Sequence, residues 1–411
     1  MEYRRLGHSG LQVSVIGLGT NNFGPRLDYS AAERVLRQAV EAGINFIETS
    51  NTYGEGQAEA FIGKALRGHR AQVLLATKVA SNMGDGPNMH GGSRKHILDQ
   101  VDLSLRRLQT EYLDLYQIHY YDPFTPLEET LRTMDHLVQQ GKVRYVGCSN
   151  FAAWQVAEAM GTARALGIEP LVSVEPEYSM LKRAVEKELL PCCTRYNVGI
   201  LPYFPLASGF LTGKYRRGQS PTPGTRFAVQ TQRASTILTP ENFDVLDQLE
   251  AFAAARSRPL VELAFAWLLA HPQVSSVIAG ATTPEQVTAN VRAVDWHLSA
   301  IEMEELDSTC KRWPIPGIRR RHTYGRSSRG RAQLPMAGQR YCQREEPGRF
   351  HMLAAGVTRR SSTSDRRTLG VRAGPWPRLA PHSLLAASCI VGQQKFAGEN
   401  HGAGGWLYGG G

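Results

Sequence analysis

The sequence predicts a TIM (β/α)8 barrel over residues 1–312, followed by a basic, low-complexity, disordered tail over 313–411. Short apolar, β-rich runs alternate with longer segments of helical period, the pattern of βα units wound around a parallel sheet. Eight such runs occur and no GxGxxG follows the first, which favours a closed barrel over an open doubly wound sheet.

The expected strands are 13–18, 45–49, 73–77, 113–119, 143–148, 171–174, 199–203 and 275–279. Between them, apolar residues recur at helical spacing over 30–41, 58–66, 94–108, 127–140, 154–165, 185–196 and 261–269. Gly43, Gly68, Gly141 and Gly167 follow periodic stretches, where a left-handed residue stops a helix. The polar stretch 214–238 is too long for an ordinary connection and follows the seventh strand, so it is a candidate lid over the active face.

With 42% hydrophobic and 20% charged residues, the composition is that of a soluble globular protein rather than a fibre or a disordered chain. The formal charge of +10 is not spread evenly: residues 319–411 carry 16 Lys and Arg against 4 Asp and Glu, leaving 31 basic and 33 acidic residues before them. The body is therefore near neutral and offers no argument for a nucleic-acid or membrane partner. Only the Arg-Gly clusters of the tail suit a polyanion, and then nonspecifically; the plainer reading is an unstructured or non-native extension. Cys148, Cys192, Cys193, Cys310, Cys342 and Cys389 show no CxxC and no zinc spacing, so neither a disulfide framework nor a metal site is expected. The N-terminus lacks the apolar core of a signal peptide and no run of about 18 apolar residues occurs. The expected location is the cytoplasm.

Catalytic groups of such barrels project from the C-terminal ends of the strands. Glu48 and Tyr53 stand there after the second strand, Lys78 after the third and His119 after the fourth. A phenol titrates near 10, too high for easy proton exchange, but an ammonium about 4 Å away contributes about 4 kcal/mol at an effective dielectric of 20. Lys78 would thus draw Tyr53 down into the range of general acid-base catalysis, and Glu48 would hold Lys78 charged and in place. A neutral His119 would donate a hydrogen bond to a carbonyl oxygen. Such a constellation lacks a hydride, so a nicotinamide is implied.

The motifs LGTNNFG, IETSNTYGEG, LATKV, YLDLYQIHYYD, GKVRYVGCSNF, SVEPEYS, YFPLASGFLTGKY and IAGATTPEQVTAN occur in this order. Together, over about residues 1–312, they resemble the aldo-keto reductase superfamily, in its bacterial, long-loop members related to potassium-channel β subunits. The resemblance implies an NADP(H)-dependent enzyme that reduces an aldehyde or ketone, with Tyr53 as acid/base, Lys78 tuning it, His119 orienting the carbonyl and Glu48 beside Lys78. It implies that Ser149, Asn150 and Glu175 hold the nicotinamide carboxamide and that Tyr203 stacks on its ring. It also places Gly19, Thr20 and Asn21 on the cofactor. The turn Pro205, Leu206, Ala207, Ser208, Gly209 and Leu211, with Lys214, would wrap the pyrophosphate, and Gly280, Thr282, Gln286 and Asn290 would meet the adenosine end.

Three departures qualify that resemblance. Glu48 stands where the family has Asp, which attenuates catalysis. Glu175 replaces a Gln, and its charge would favour the oxidised ring and shift the balance toward alcohol oxidation. The segment Gly280–Thr283 supplies no cation for a 2′-phosphate, so Lys214 or Arg292 would substitute; NADP(H) is still expected over NAD(H). Phe23, Tyr120, Tyr121 and Phe151 would flank the hydride site as an aromatic, largely uncharged mouth for a small carbonyl substrate, core packing being an equal alternative for some of these rings. The rival reading is a nucleotide-sensing regulatory subunit with little turnover.

Overall fold

A computed structural model of the protein describes residues 1–310. The chain opens with a hairpin of β1 (Tyr3–Arg5) and β2 (Gln12–Ser14), then enters the barrel with β3 (Ile16–Gly19), α1 (Tyr29–Glu41), β4 (Phe46–Glu48) and α2 (Gln57–Ala65). It continues through β5 (Leu74–Val79), α3 (Arg94–Leu108), β6 (Leu113–Ile118), α4 (Leu127–Gln139), β7 (Val143–Ser149), α5 (Ala153–Leu166), β8 (Ser173–Glu175), α6 (Leu189–Tyr196) and β9 (Gly199–Ile200). Short helices α7 (Arg226–Val229) and α8 (Thr231–Ile237) precede α9 (Pro240–Ala254), α10 (Leu260–Leu269), β10 (Val277–Gly280), α11 (Pro284–Val291) and α12 (Ala300–Cys310).

The eight strands from β3 to β10 pair in parallel, in the order β10-β3-β4-β5-β6-β7-β8-β9. The two ends of that order meet: Ile200 bridges Val274 in parallel, and Ile278 N donates to Pro202 O at 2.9 Å. The sheet is therefore a closed TIM barrel, and no edge is left to template aggregation.

Strand alternation divides the core in two. Phe46, Ala76, Leu115 and Ile278 pack inside the barrel, where Leu6 and Val13 of the hairpin close the N-terminal end. Their neighbours Ile47, Leu75 and Tyr116 face outward into the layer beneath the helices. The helices begin where side chains can take up exposed N–H groups. Asp28, Ser93, Thr239 and Thr283 each cap a first turn, the last two followed by proline, which needs no donor there. α5 stops at Gly167, whose φ of +63° a residue with a Cβ tolerates poorly.

The structure differs from the sequence expectation in four places. The run 13–18 is two elements, because Asn45 Oδ1 accepts from Ser14 N at 2.7 Å and Ser14 Oγ turns back to Ile16 O, breaking the strand at Val15. The run expected at 199–203 has only its first two residues in a strand, since Pro202 has no N–H to continue a ladder. The candidate lid is not bare loop: α7 and α8 lie in it, anchored by buried Phe227 and Ile237. Helices α9, α11 and α12 lie outside the helical runs expected from the sequence. The expected tail over 313–411, with Cys342 and Cys389, lies outside the described residues. Among the described residues no helix is long and apolar enough to cross a membrane, and Cys148, Cys192, Cys193 and Cys310 are unpaired.

Candidate active site

The period-2 alternation that points Phe46, Ala76 and Leu115 into the barrel also points inward the residues two positions further on, Glu48, Lys78 and Gln117. Glu175 joins them from the end of β8, and His119 follows β6. One layer above an apolar plug, charged groups thus converge at the C-terminal rim. Gly19 makes room for them: a Cβ there would lie 2.8 Å from Ile278 Cγ2 and 3.3 Å from Glu48 Oε2.

Lys78, fully buried, donates to Glu48 Oε1 and to the Tyr53 hydroxyl at 3.1 Å, and pairs with Glu175 Oε1 at 3.3 Å. Tyr53 OH in turn donates to Glu48 Oε1 at 3.1 Å. The other oxygen of Glu175 accepts from Gln117 Nε2 at 2.7 Å. One ammonium is therefore shared by two carboxylates, and the phenol touches both the ammonium and one of them.

This arrangement reverses the expected titration of Tyr53. Burial, then the charge of Glu175, pushes the phenol well above its ordinary value, while burial pulls Lys78 down against the support of Glu175. The expected attraction to a free ammonium is missing because Lys78 already faces two anions. Glu175 lines the cavity beside Ser149 and Asn150, and both its oxygens are also engaged, by Lys78 and Gln117, so its charge belongs to the cluster too.

His119 is pushed down to about 3, by burial and then by the charge of Lys78, so it is neutral across the physiological range. Its Nδ1 meets Ser81 Oγ at 2.9 Å and Ser50 Oγ at 3.4 Å, two partners absent from the sequence reading. When Nδ1 accepts from Ser81, the ring proton resides on Nε2. The ring stacks on Tyr120 at 4.7 Å.

Glu48, Tyr53, Ser81, His119, Tyr120 and Glu175 line one end of a cavity of about 860 Å³ that runs to Gly280, Thr282, Gln286 and Asn290. Along it lie Gly19, Asn21, Ser149, Asn150, Glu175, Tyr203, Pro205, Leu206, Ser208, Gly209 and Lys214. Ser149 Oγ donates to Glu175 O at 2.8 Å, Asn150 Nδ2 to His119 O at 3.1 Å, and Tyr203 OH to Asn150 Oδ1 at 2.8 Å, fixing this wall as one network. Ser208 and Gly209 turn the chain through positive φ, +60° and +93°, and a Cβ on Gly209 would sit 3.0 Å from Lys214 Nζ. Thr282 N and Oγ1 both donate to Gln286 Oε1. Thr20, Ala207 and Leu211 are buried behind the lining, Thr20 Oγ1 donating to Glu48 O at 2.9 Å.

The expected aromatic mouth is corrected. Tyr120 lines the cavity, but Phe23 and Phe151 are buried core residues and Tyr121 packs edge-on against Phe151. Nor is the wall uncharged: Arg26, Arg226 and Arg233 line it alongside Lys214, whereas Arg292 does not. Arg26 donates to Gly224 O and Arg226 to Asn22 Oδ1, so the segment carrying α7 is clasped to the loop after β3. Arg233 bonds Glu177 and Ser208. Burial and the neighbouring Arg26 push both Lys214 and Arg226 down, the mark of cations held together without a counter-ion. The arginines were visible in the sequence; their meeting point was set by contacts some two hundred residues apart.

The model of the Aldo/keto reductase family matches residues 15–311. A probable voltage-gated potassium channel subunit beta of Arabidopsis thaliana is 38% identical over 302 residues, 72% of this chain and 92% of the relative. An uncharacterized oxidoreductase, YrpG, of Bacillus subtilis is 37% identical over 328 residues, 77% and 97% of the two chains. The L-glyceraldehyde 3-phosphate reductase of Escherichia coli K12 is 35% identical over 318 residues, 75% and 92%.

Proposed function

The chain belongs to the aldo/keto reductase family, and from that premise we propose that it is an NADP(H)-dependent oxidoreductase reducing an aldehyde or ketone to the alcohol, with Tyr53 as general acid. The observation that carries this reading is the contact of the Tyr53 hydroxyl with Lys78 Nζ at 3.1 Å, in the cavity that His119 also lines.

The donor set fits a dinucleotide. The cavity is long, one end is walled by Ser149, Asn150 and Tyr203, and its flank carries the left-handed turn at Ser208 and Gly209 beside Lys214. Among the described residues Lys214, Arg26 and Arg226 make no ion pair, so an anion introduced there relieves their mutual repulsion. We assign the extra phosphate of NADP(H) to these cations; this is the basis for preferring it over NAD(H). When bound, the reduced nicotinamide supplies the hydride.

The chain's own residues handle the oxygen. His119, neutral, offers Nε2–H to the carbonyl oxygen of an aldehyde or ketone and polarises it. Tyr53 gives up its proton to that oxygen as negative charge develops there, and Lys78 stabilises the phenolate left behind. Glu48 must release the phenol hydrogen bond as this occurs. Burial of Glu48, Lys78 and Glu175 shields the side of the Tyr53 hydroxyl that faces away from the cavity.

Single-turnover oxidation of bound NADPH by an aromatic aldehyde tests the reading, with Tyr53→Phe as control. Repeated turnovers that the variant loses, while still binding NADPH, are expected. Tight NADPH binding without turnover in the unaltered chain would instead make it a nucleotide-sensing subunit; the Arabidopsis relative is named as a channel subunit.

A further inference from the structure

Lys78 meets carboxylates from two opposite sides of the barrel rim, Glu48 on β4 and Glu175 on β8. The second contact is no accident of a mobile side chain: Glu175 is buried and its far oxygen is tied to Gln117 Nε2 at 2.7 Å. Lys78 also donates to Thr49 O at 3.3 Å, so its three protons face Glu48, the Tyr53 hydroxyl, Glu175 and a carbonyl. The donor that reaches the Tyr53 hydroxyl therefore belongs to an ammonium whose charge is shared with two carboxylates.

We propose that Glu175 is a positioning residue that divides the charge of Lys78 with Glu48, and so holds the Tyr53 proton in place until a carbonyl oxygen accepts it. One ammonium cannot neutralise both of the carboxylates it touches, so the cluster opposes a negative charge on the phenol. The other groups facing Tyr53 do not offset it. His119 is neutral, Tyr120 and Tyr203 add no positive charge, and Arg226 on α7 is the remaining cation whose field reaches the ring. Tyr53 in this chain is accordingly built to donate. Little of it is phenolate at neutral pH, which slows the reverse deprotonation of an alcohol. This inference rests on the assignment of Tyr53 as the acid and deepens it by naming what sets its proton.

The near-isosteric Glu175→Gln keeps the hydrogen-bond shape and removes one charge. In the full chain with NADPH and an aromatic aldehyde, the basic limb of the kcat profile should move to lower pH by one unit or more, as the phenol becomes easier to ionise. Alcohol oxidation with NADP⁺ should then reach its plateau at correspondingly lower pH. The ratio of NADP⁺ to NADPH dissociation constants should stay within about twofold, because a hydrogen-bonded carboxylate turned toward Lys78 is not a nicotinamide contact. An unmoved limb, or a cofactor ratio changed well beyond twofold, would overturn the proposal.

Should the variant fold poorly, the unaltered chain still decides. The ultraviolet phenolate absorbance that disappears in Tyr53→Phe must emerge above the ordinary tyrosine range near 10, and its emergence below it defeats the proposal. If Tyr53→Phe retains full turnover, it is the assignment of the acid that fails, a result distinct from either of these.

Discussion

The guanidinium of Arg226 donates to Asn22 Oδ1 at 3.2 Å, joining two residues 204 positions apart across the cavity flank. Arg226 also lies over the ring of Phe204, 5.0 Å from its centroid, and is half-buried without an acidic partner among the described residues. A cation in that state gains most from a ligand that supplies a dianion. A charge-assisted hydrogen bond contributes about 1.5–3 kcal/mol, so Arg226→Gln should weaken NADPH binding by roughly ten- to hundredfold and NADH binding far less. Titration of both cofactors by fluorescence checks this; equal losses for the two would place Arg226 away from the extra phosphate.

Glu48 accepts from Lys78 and from the Tyr53 hydroxyl with the same oxygen, Oε1. It therefore competes with the substrate for the proton that Tyr53 must deliver. One methylene fewer withdraws the carboxylate by roughly 1.5 Å, and displacements of that size at a reacting group change rates strongly. Glu48→Asp should leave kcat for carbonyl reduction unchanged or raise it, with KM little altered. A collapse of kcat would show that the longer side chain has a role of its own.

Ser81 is the shorter of the two hydroxyl contacts to His119 Nδ1, 2.9 Å against 3.4 Å for Ser50. Removing it loosens the tautomer that places a proton on Nε2. A neutral hydrogen bond is worth about 0.5–1.5 kcal/mol net, so Ser81→Ala should lower kcat by roughly two- to tenfold. Cofactor affinity should not change, and a purely binding defect would contradict the assignment.

How far the site was legible in the sequence follows from which residues depend on local rules. Glu48, Lys78 and His119 lie at the ends of strands whose alternation is written in apolar runs, and the structure brings them together with Tyr53 as that alternation requires. Period 2 also carries Glu175 inward, but its pairing with Lys78 is a matter of three-dimensional distance and could not be read from spacing. Phe151 was misplaced for a related reason. It follows Asn150, whose φ of +58° turns the chain, and the ring enters the core beneath Tyr121 instead of facing the cavity. Arg226 and Arg233 sit in a stretch of weak periodicity where two short helices form, because buried Phe227 and Ile237 anchor it from elsewhere in the fold. Local pattern thus reveals the rim, and long-range packing decides what crosses it.

The depressed His119 also links the site to stability. Its folded value of about 3 lies below the ordinary histidine value of about 6.5, so in the interval between them the unfolded chain binds a proton that the folded site refuses. The contribution is complete above about pH 6.5 and is lost as pH falls toward the folded value, with a slope of at most about 1.4 kcal/mol per pH unit. His96 and His271 are pushed down as well, chiefly by burial, and act with the same sign. The unaltered protein should therefore lose stability steeply on acidification from neutrality. His119→Gln should make that dependence shallower by roughly 1 kcal/mol per pH unit between about pH 6 and 4.5, leaving the share of the other two histidines. Chemical denaturation at matched pH values measures the difference, and identical slopes would mean that His119 takes up its proton freely in the folded chain.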